Sequence, residues 1–332
     1  HVRLLKNPEN YGLKKNCSDA VKESTIISWC SGSIELLLKH RMIQRTRDGN
    51  LESTDAGRAM ARHYVCLETM ISITNLQGNE SLWSLLQKIC SCNEVLGECQ
   101  LRVEDKAFFN LLLNPREDIN HLRFSLGDSI KTREKKAAAL VQATFGNMTI
   151  TENSLLQESL RITRNASRVA NCLKDVSFIQ PNMRYSLLSN IITLAQCFAA
   201  RLWENSKFVA KQLDRIGPVL SHNLATNGLT TFESLRLANP RNIEIFCNRL
   251  PPFGSNVQQT CYGLPIYNLR IYFRRVPNVQ DKISLMAEIS IENGIEMRLR
   301  NSLPADHKCC LIVGSLSDDR LLLHRYVSDA GI

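Results

Sequence analysis

The chain has 332 residues, 44 % hydrophobic and 22 % charged, with a formal net charge of +9; these are globular proportions with room for several small domains, and they exclude a disordered tail. No apolar run reaches the roughly 18 to 20 uncharged residues that a membrane-spanning helix needs, so no bilayer role is expected. The positive excess lies in two patches, with 11 Lys and Arg against 7 Asp and Glu in residues 1–64 and 8 against 4 in residues 177–263, the footprint expected of a polyanionic partner.

The opening HVRLLKNPENYG has neither an initiator Met nor a signal-peptide pattern, and a piece of a longer protein is expected. Ser18 is a candidate cap for an apolar-periodic stretch over 18–40, read as one or two helices. MIQRT and NLEST flank the tight-turn signal Asp48-Gly49, and Thr54 caps a helix over 55–64. Helix, helix, hairpin, helix over residues 1–65 is the winged-helix pattern. Lys39, Arg41, Arg45 and Arg47 cluster along it.

Residues 66–212 read as a helical bundle, with helices over 81–90, 93–100, 104–113, 130–145 and 155–175 and breaks at Asn114-Pro115 and Gly146-Asn147. After Gln180-Pro181 the longest helical signal runs over 184–212. Short helices follow over 213–254, closing on Pro251-Pro252-Phe253-Gly254. From Tyr267 the period changes to two in LRIYFRRV, KISLMAEISI, EMRLRN, KCCLIVGSL and RLLLHRYV. The fold expected is therefore multidomain and mainly α, closed by an all-β immunoglobulin- or fibronectin-like sandwich over 264–332. That span falls short of the roughly 100 residues a complete sandwich takes.

No Gly-Lys dipeptide occurs, so the loop that cradles nucleotide phosphates is absent. Seven histidines show no metal-ligand spacing, and there is no nucleophile elbow. The pairs Cys90 with Cys92 and Cys309 with Cys310 lack the spacing of structural zinc sites, and twelve scattered cysteines fit a reducing compartment. No catalytic or metal residue is expected.

The segment from Leu213 to Ser221, with Leu224 and Asn227-Gly228, resembles a helix-hairpin-helix, in which backbone amides and a helix N-terminus meet a phosphate and Gly217 supplies close approach. Arg215 stands where a first glycine is usual and Ser221 where an alanine is usual; either Arg215 contacts a phosphate itself or the motif is a structural corner. On the 184–212 helix, Leu188, Ile191, Ala195, Phe198 and Leu202 share an apolar face. Beside it Ser189, Thr193, Gln196, Ala200, Trp203 and Lys207 form a stripe suited to a passing strand, with Trp203 as stacking platform and Lys207 on a phosphate. Trp203 reads equally as an extension of the core. Arg161, Arg164 and Arg168 share one helix face and either track a nucleic-acid backbone or form a solvated row paired with Glu158.

Arg3, Lys6-Asn7-Pro8, Tyr11, Thr54 with Gly57-Arg58, Tyr64, Glu94, Leu101-Arg102, Glu104, Lys136, Gln142-Ala143, Gln196, Trp203, Ile216-Gly217-Pro218 and Asn248-Arg249 with Pro251 to Gly254 occur in the order found in one family. The chain resembles the non-motor C-terminal module of superfamily-two helicases of the superkiller-like branch, and within it the meiotic, crossover-promoting DNA helicases of animals. The resemblance implies a nuclear, ATP-dependent 3′ to 5′ DNA helicase as parent, with ATP and Mg held by motor domains and no cofactor in this segment. It implies single-stranded or branched DNA and the helicase's own motor domains as partners, and MutL-like mismatch-repair-type proteins through Arg270, Arg274 and Arg275 of the β-domain. Gln196 and Trp203 match the strand-contacting positions of the family's ratchet helix, although archaeal relatives carry arginine at the first. A protein-interaction scaffold of the same family and an RNA unwindase fragment stand as alternatives.

Overall fold

Local capping chemistry starts several helices of the computed structural model, which describes residues 6–113, 122–180, 183–275, 283–299 and 307–328. After a 3-10 turn at Pro8–Tyr11, the Ser18 hydroxyl accepts from Val21 N and opens α1 (Asp19–Lys39), a single helix that buries none of its residues. β1 (Ile43–Arg45) and β2 (Leu51–Ser53) pair antiparallel around Asp48-Gly49, with Gly49 at φ 80 as that turn requires. Thr54 Oγ1 accepts from Gly57 N at 3.1 Å and caps α2 (Asp55–Arg62). Gly57 lies against the Met42 carbonyl, where a Cβ would come within 1.9 Å.

The helical body comprises α3 (Leu67–Thr74), α4 (Leu82–Cys90), α5 (Asn93–Leu96), α6 (Lys106–Leu113), α7 (Arg133–Phe145), α8 (Asn153–Ser177) and α9 (Tyr185–Ala200). α7 is its axis, since every residue from Lys136 to Ala143 and Phe145 is buried. α8 packs on both α7 and α9, and His63 Nε2 lies 2.8 Å from Asp175 Oδ2, joining the end of α2 to α8. One apolar cluster runs from Met42 to Trp203. A second is enclosed by a 3-10 turn at Val209–Gln212 with α10 (Pro218–Thr226), α11 (Phe232–Leu237), α12 (Pro240–Cys247) and α13 (Phe253–Tyr262).

The polar centre is Lys136, 1 % exposed. Its Nζ donates to Gln100 O and Asp105 Oδ2 and lies 2.9 Å from Glu158 Oε1, so α7, α8 and the 100–105 segment are tied together directly. Glu158 therefore faces inward. The pairing with Arg161 expected from their spacing is absent, and Arg161 meets Glu98 at 3.0 Å instead.

The helix expected over 184–212 ends twelve residues early, at Ala200. Arg201 takes the left-handed conformation (φ 53), its N–H returns to Cys197 O, and Trp203 N turns away to Phe145 O.

The C-terminal strands are β3 (Tyr267–Arg275), β4 (Ile283–Ile291), β5 (Lys308–Ser315) and β6 (Arg320–Ser328), with α14 (Gly294–Leu299) between the pairs. Among the described residues they form two separate two-stranded antiparallel sheets. The run at 296–301 expected as a strand begins instead inside α14: Asn293 engages Ile266 N and Leu264 O through its side chain, accepts from Met297 N, and Met297 is buried. The fold is mainly helical, 54 % helix with small sheets.

The β5–β6 hairpin completes α9, which has no side-chain cap of its own. Asp319 accepts from Ser186 N and Ser186 Oγ, both at 2.7 Å, and those bonds hold its carboxyl below the usual aspartate value. Gly314 faces the Tyr185 ring at a distance no Cβ would allow, and His324 stacks on Phe178 at 3.8 Å.

Removing one carboxylate from the buried Lys136 site is the sharpest test of this core. Glu158→Ala is expected to lower the unfolding free energy in urea by about 3–5 kcal/mol. Arg161→Ala, at an exposed pair, should change it by at most about 1 kcal/mol.

Candidate nucleic-acid interface

The length of α9 divides its residues sharply. Leu188, Ile191, Ala195 and Phe198 point into the core together with Leu202, while Gln196 is exposed. Ser189, Thr193 and Ala200 of the sequence stripe are half-buried.

Trp203 lies beyond the helix end and is 8 % exposed. Its indole meets Phe145 edge-on at 4.9 Å and Phe124 at 5.8 Å, and the Arg123 guanidinium covers the ring at 4.9 Å. Arg123 is held there by Glu204 at 2.7 Å, a pairing that keeps the Glu204 carboxyl below its usual value. The ring thus extends the core and offers no open face for a base. Lys207 is exposed with its Nζ 5.5 Å from the Phe208 ring centroid.

In the 213–221 segment, Leu213 and Ile216 are buried while Arg215 and Gly217 are exposed. Arg215 has φ 65, the conformation that explains why glycine is usual there. Gly217 is the N-cap of α10, nothing lies within 4 Å of its would-be Cβ, and no side chain caps the helix. The turn therefore presents a guanidinium beside unblocked first-turn amides, the chemistry that receives a phosphate.

Ser221 has a use that alanine would not supply. Asn147 Nδ2 donates to Pro218 O at 3.1 Å and to Ser221 Oγ at 3.3 Å, binding the end of α7 to α10. Lys211 Nζ donates to Thr144 O at 2.8 Å and to Arg201 O at 3.1 Å, and burial pushes its pKa down to about 8. Three residues at the end of α7 thus hold the end of α9 and the Arg215–Gly217 turn in one frame. Sequence reasoning took Asn147 only as a helix break; its left-handed φ of 60 was signalled by the Gly146-Asn147 pair, but its tertiary bonds were not.

The α8 arginines stand apart. Arg161 is engaged by Glu98, Arg164 is exposed, and Arg168 is half-buried with an unpartnered Nε. No described hydrogen bond or ion pair joins them to Gln196, Lys207 or the 215–217 turn. Among the described residues no cluster of His, Cys, Asp or Glu is arranged to hold a metal. The cysteines are free thiols, and burial pushes those of Cys172 and Cys197 up to about 12. No described helix is long and apolar enough to cross a membrane.

The family profile described as the Sec63 Brl domain matches residues 53–330. The chain is 34 % identical over 98 % of its length to a mouse protein named probable ATP-dependent DNA helicase HFM1, covering 22 % of that protein. It is 31 % identical over 98 % of its length to the ATP-dependent DNA helicase homolog MER3 of Arabidopsis thaliana, covering 29 % of it. To the ATP-dependent DNA helicase MER3 of Saccharomyces cerevisiae it is 26 % identical over 87 % of its length, covering 25 % of it. The chain thus spans about a quarter of the length of these relatives.

Burial and exposure separate Trp203 from Gln196 by experiment. Trp203→Ala is expected to destabilise the chain by about 3–5 kcal/mol, read by urea unfolding. Gln196→Ala should stay within about 0.5 kcal/mol of the parent and weaken binding of a single-stranded oligonucleotide; an equal loss of stability in both would contradict the placement.

Proposed function

The chain belongs to the Sec63 Brl domain family, a C-terminal region of superkiller-like superfamily-two helicases, and from that premise we propose that it is the non-motor module that guides single-stranded DNA for an ATP-dependent DNA helicase acting in meiotic crossover formation in the nucleus. Residues 1–65 serve as its winged helix, 66–212 as the helical ratchet bundle, 213–254 as the helix-hairpin-helix and 264–332 as the immunoglobulin-like domain. ATP and Mg belong to the motor domains of the parent, beyond this segment.

The observation that carries this reading is the single frame holding exposed Gln196, Lys207, Arg215 and Gly217. Its donors are an amide, two cations and backbone N–H groups, which engage sugar and phosphate without reading bases. Such contacts release easily, as a ratchet requires at each step. Arg164 and Arg168 offer a second, separate stretch of contact, and Trp203 acts by fixing the frame rather than by stacking.

A protein-interaction role is supported by β3–β4, where Leu269, Ile271 and Phe273 are exposed on one face and Met286, Arg270 and Arg274 on the other. That face suits the MutL-like partner class; the side chain of Arg275 lies outside the described residues. RNA is distinguished from DNA by direct competition, since none of these contacts depends on the 2′-hydroxyl.

The test is fluorescence anisotropy with single-stranded oligothymidine across a salt series. Lys207→Ala and Arg215→Ala are each expected to weaken binding and to flatten the slope of log K against log salt by about 0.7, one phosphate contact apiece. Gly217→Val, at an exposed position where a Cβ meets no neighbour, should fold normally and bind less tightly. A folded chain that fails to bind at low salt would refute the strand-guiding role.

A further inference from the structure

On the far side of the buried Lys136 site, a cavity of about 360 Å³ opens between the 101–106 segment, α6 and residues 129–131. Val103, Phe109, Leu113 and Ile130 form its walls, and Leu101 and Val103 stand at its mouth 52 % and 76 % exposed. Two large aliphatic side chains left in water beside an open apolar cleft are stabilised by anything that covers them, at roughly 25 cal/mol per Å² buried.

The electrostatics of the cleft select what covers it. Its floor is the Lys136–Asp105 ion pair, and Arg102 at its edge lies 3.8 Å from Glu158 Oε2. Those two cations and two carboxylates cancel. The remaining charged groups of the lining, Lys106 and Lys131, are exposed and form no ion pair among the described residues. The cleft therefore combines apolar walls with two uncompensated ammonium groups.

We infer that this cleft docks a short acidic, amphipathic peptide segment of a partner protein. An apolar side chain of the peptide fills the space against Phe109 and Ile130, and its flanking carboxylates meet Lys106 and Lys131. The site is independent of the strand-guiding surface and does not rest on that reading. A phosphodiester strand would satisfy the lysines but leave the walls exposed, which is why a peptide is favoured.

The experiment pans a phage-displayed random-peptide library against the full 332-residue chain and measures synthetic versions of the enriched peptides by anisotropy. Enriched sequences should combine aliphatic or aromatic residues with Asp or Glu. Lys106→Glu and Lys131→Glu, both at exposed positions, should each weaken them about fivefold and leave thermal unfolding and oligothymidine affinity unchanged. Val103→Asp should weaken them as well. Any of four results would overturn the inference: no enrichment; enriched peptides without acidic residues or indifferent to these substitutions; displacement of the peptides by oligothymidine together with loss of DNA binding in the lysine variants; or a self-associated chain that the lysine variants dissociate. Binding that emerges only when residues 114–121, which carry Glu117 and Asp118, are replaced by a Gly-Ser linker would also overturn it, assigning the cleft to the chain's own segment.

Discussion

The last turn of α7 is the constraint on which the rest of the structure depends. Within Thr144 to Asn147, one carbonyl receives the Lys211 ammonium, another receives Trp203 N, and the Asn147 amide reaches Pro218 and Ser221. Each neutral bond contributes about 0.5–1.5 kcal/mol net and the ammonium bond about 1.5–3, yet their geometric effect is larger. They fix where α9 stops and where the 213–221 turn begins, two pieces separate in sequence and joined to the same helix end. α7 itself is enclosed by apolar neighbours along its length and tied at its other end through Lys136.

The β5–β6 hairpin acts on the other end of α9. A helix that lacks its own cap borrows one from Asp319, more than a hundred residues later in the chain. α9 is thereby held at both termini by groups outside itself, and its exposed Gln196 is carried on a rod whose position is set by the bundle and by the β-segment together.

Much of this was legible in the residues because it is local. Ser18 and Thr54 cap the helices they precede, and Asp48-Gly49 makes the tight turn. What escaped was tertiary. Leu202 and Trp203 continue the apolar period of α9, so periodicity alone extends the helix, while the break is made by Arg201 and by a bond to Phe145. Glu158 and Arg161 have the spacing of a surface pair, but the carboxylate is consumed by Lys136 on the other face. Trp203 was readable as platform or core, and its burial is made by Phe124, Phe145 and Arg123, all of them distant in sequence. Of the proposed surface, the exposed members were visible as residue types, and the frame that assembles them was not.

Hydrogen exchange of the chain with and without single-stranded oligothymidine tests the central claim most directly. The account requires slowed exchange at the amides of residues 204–207, 215–217 and 219–220, on the two sides of the α7 junction, with β3–β4 unchanged. Protection confined to β3–β4 or to α1, with the junction exchanging as in the free chain, would contradict it.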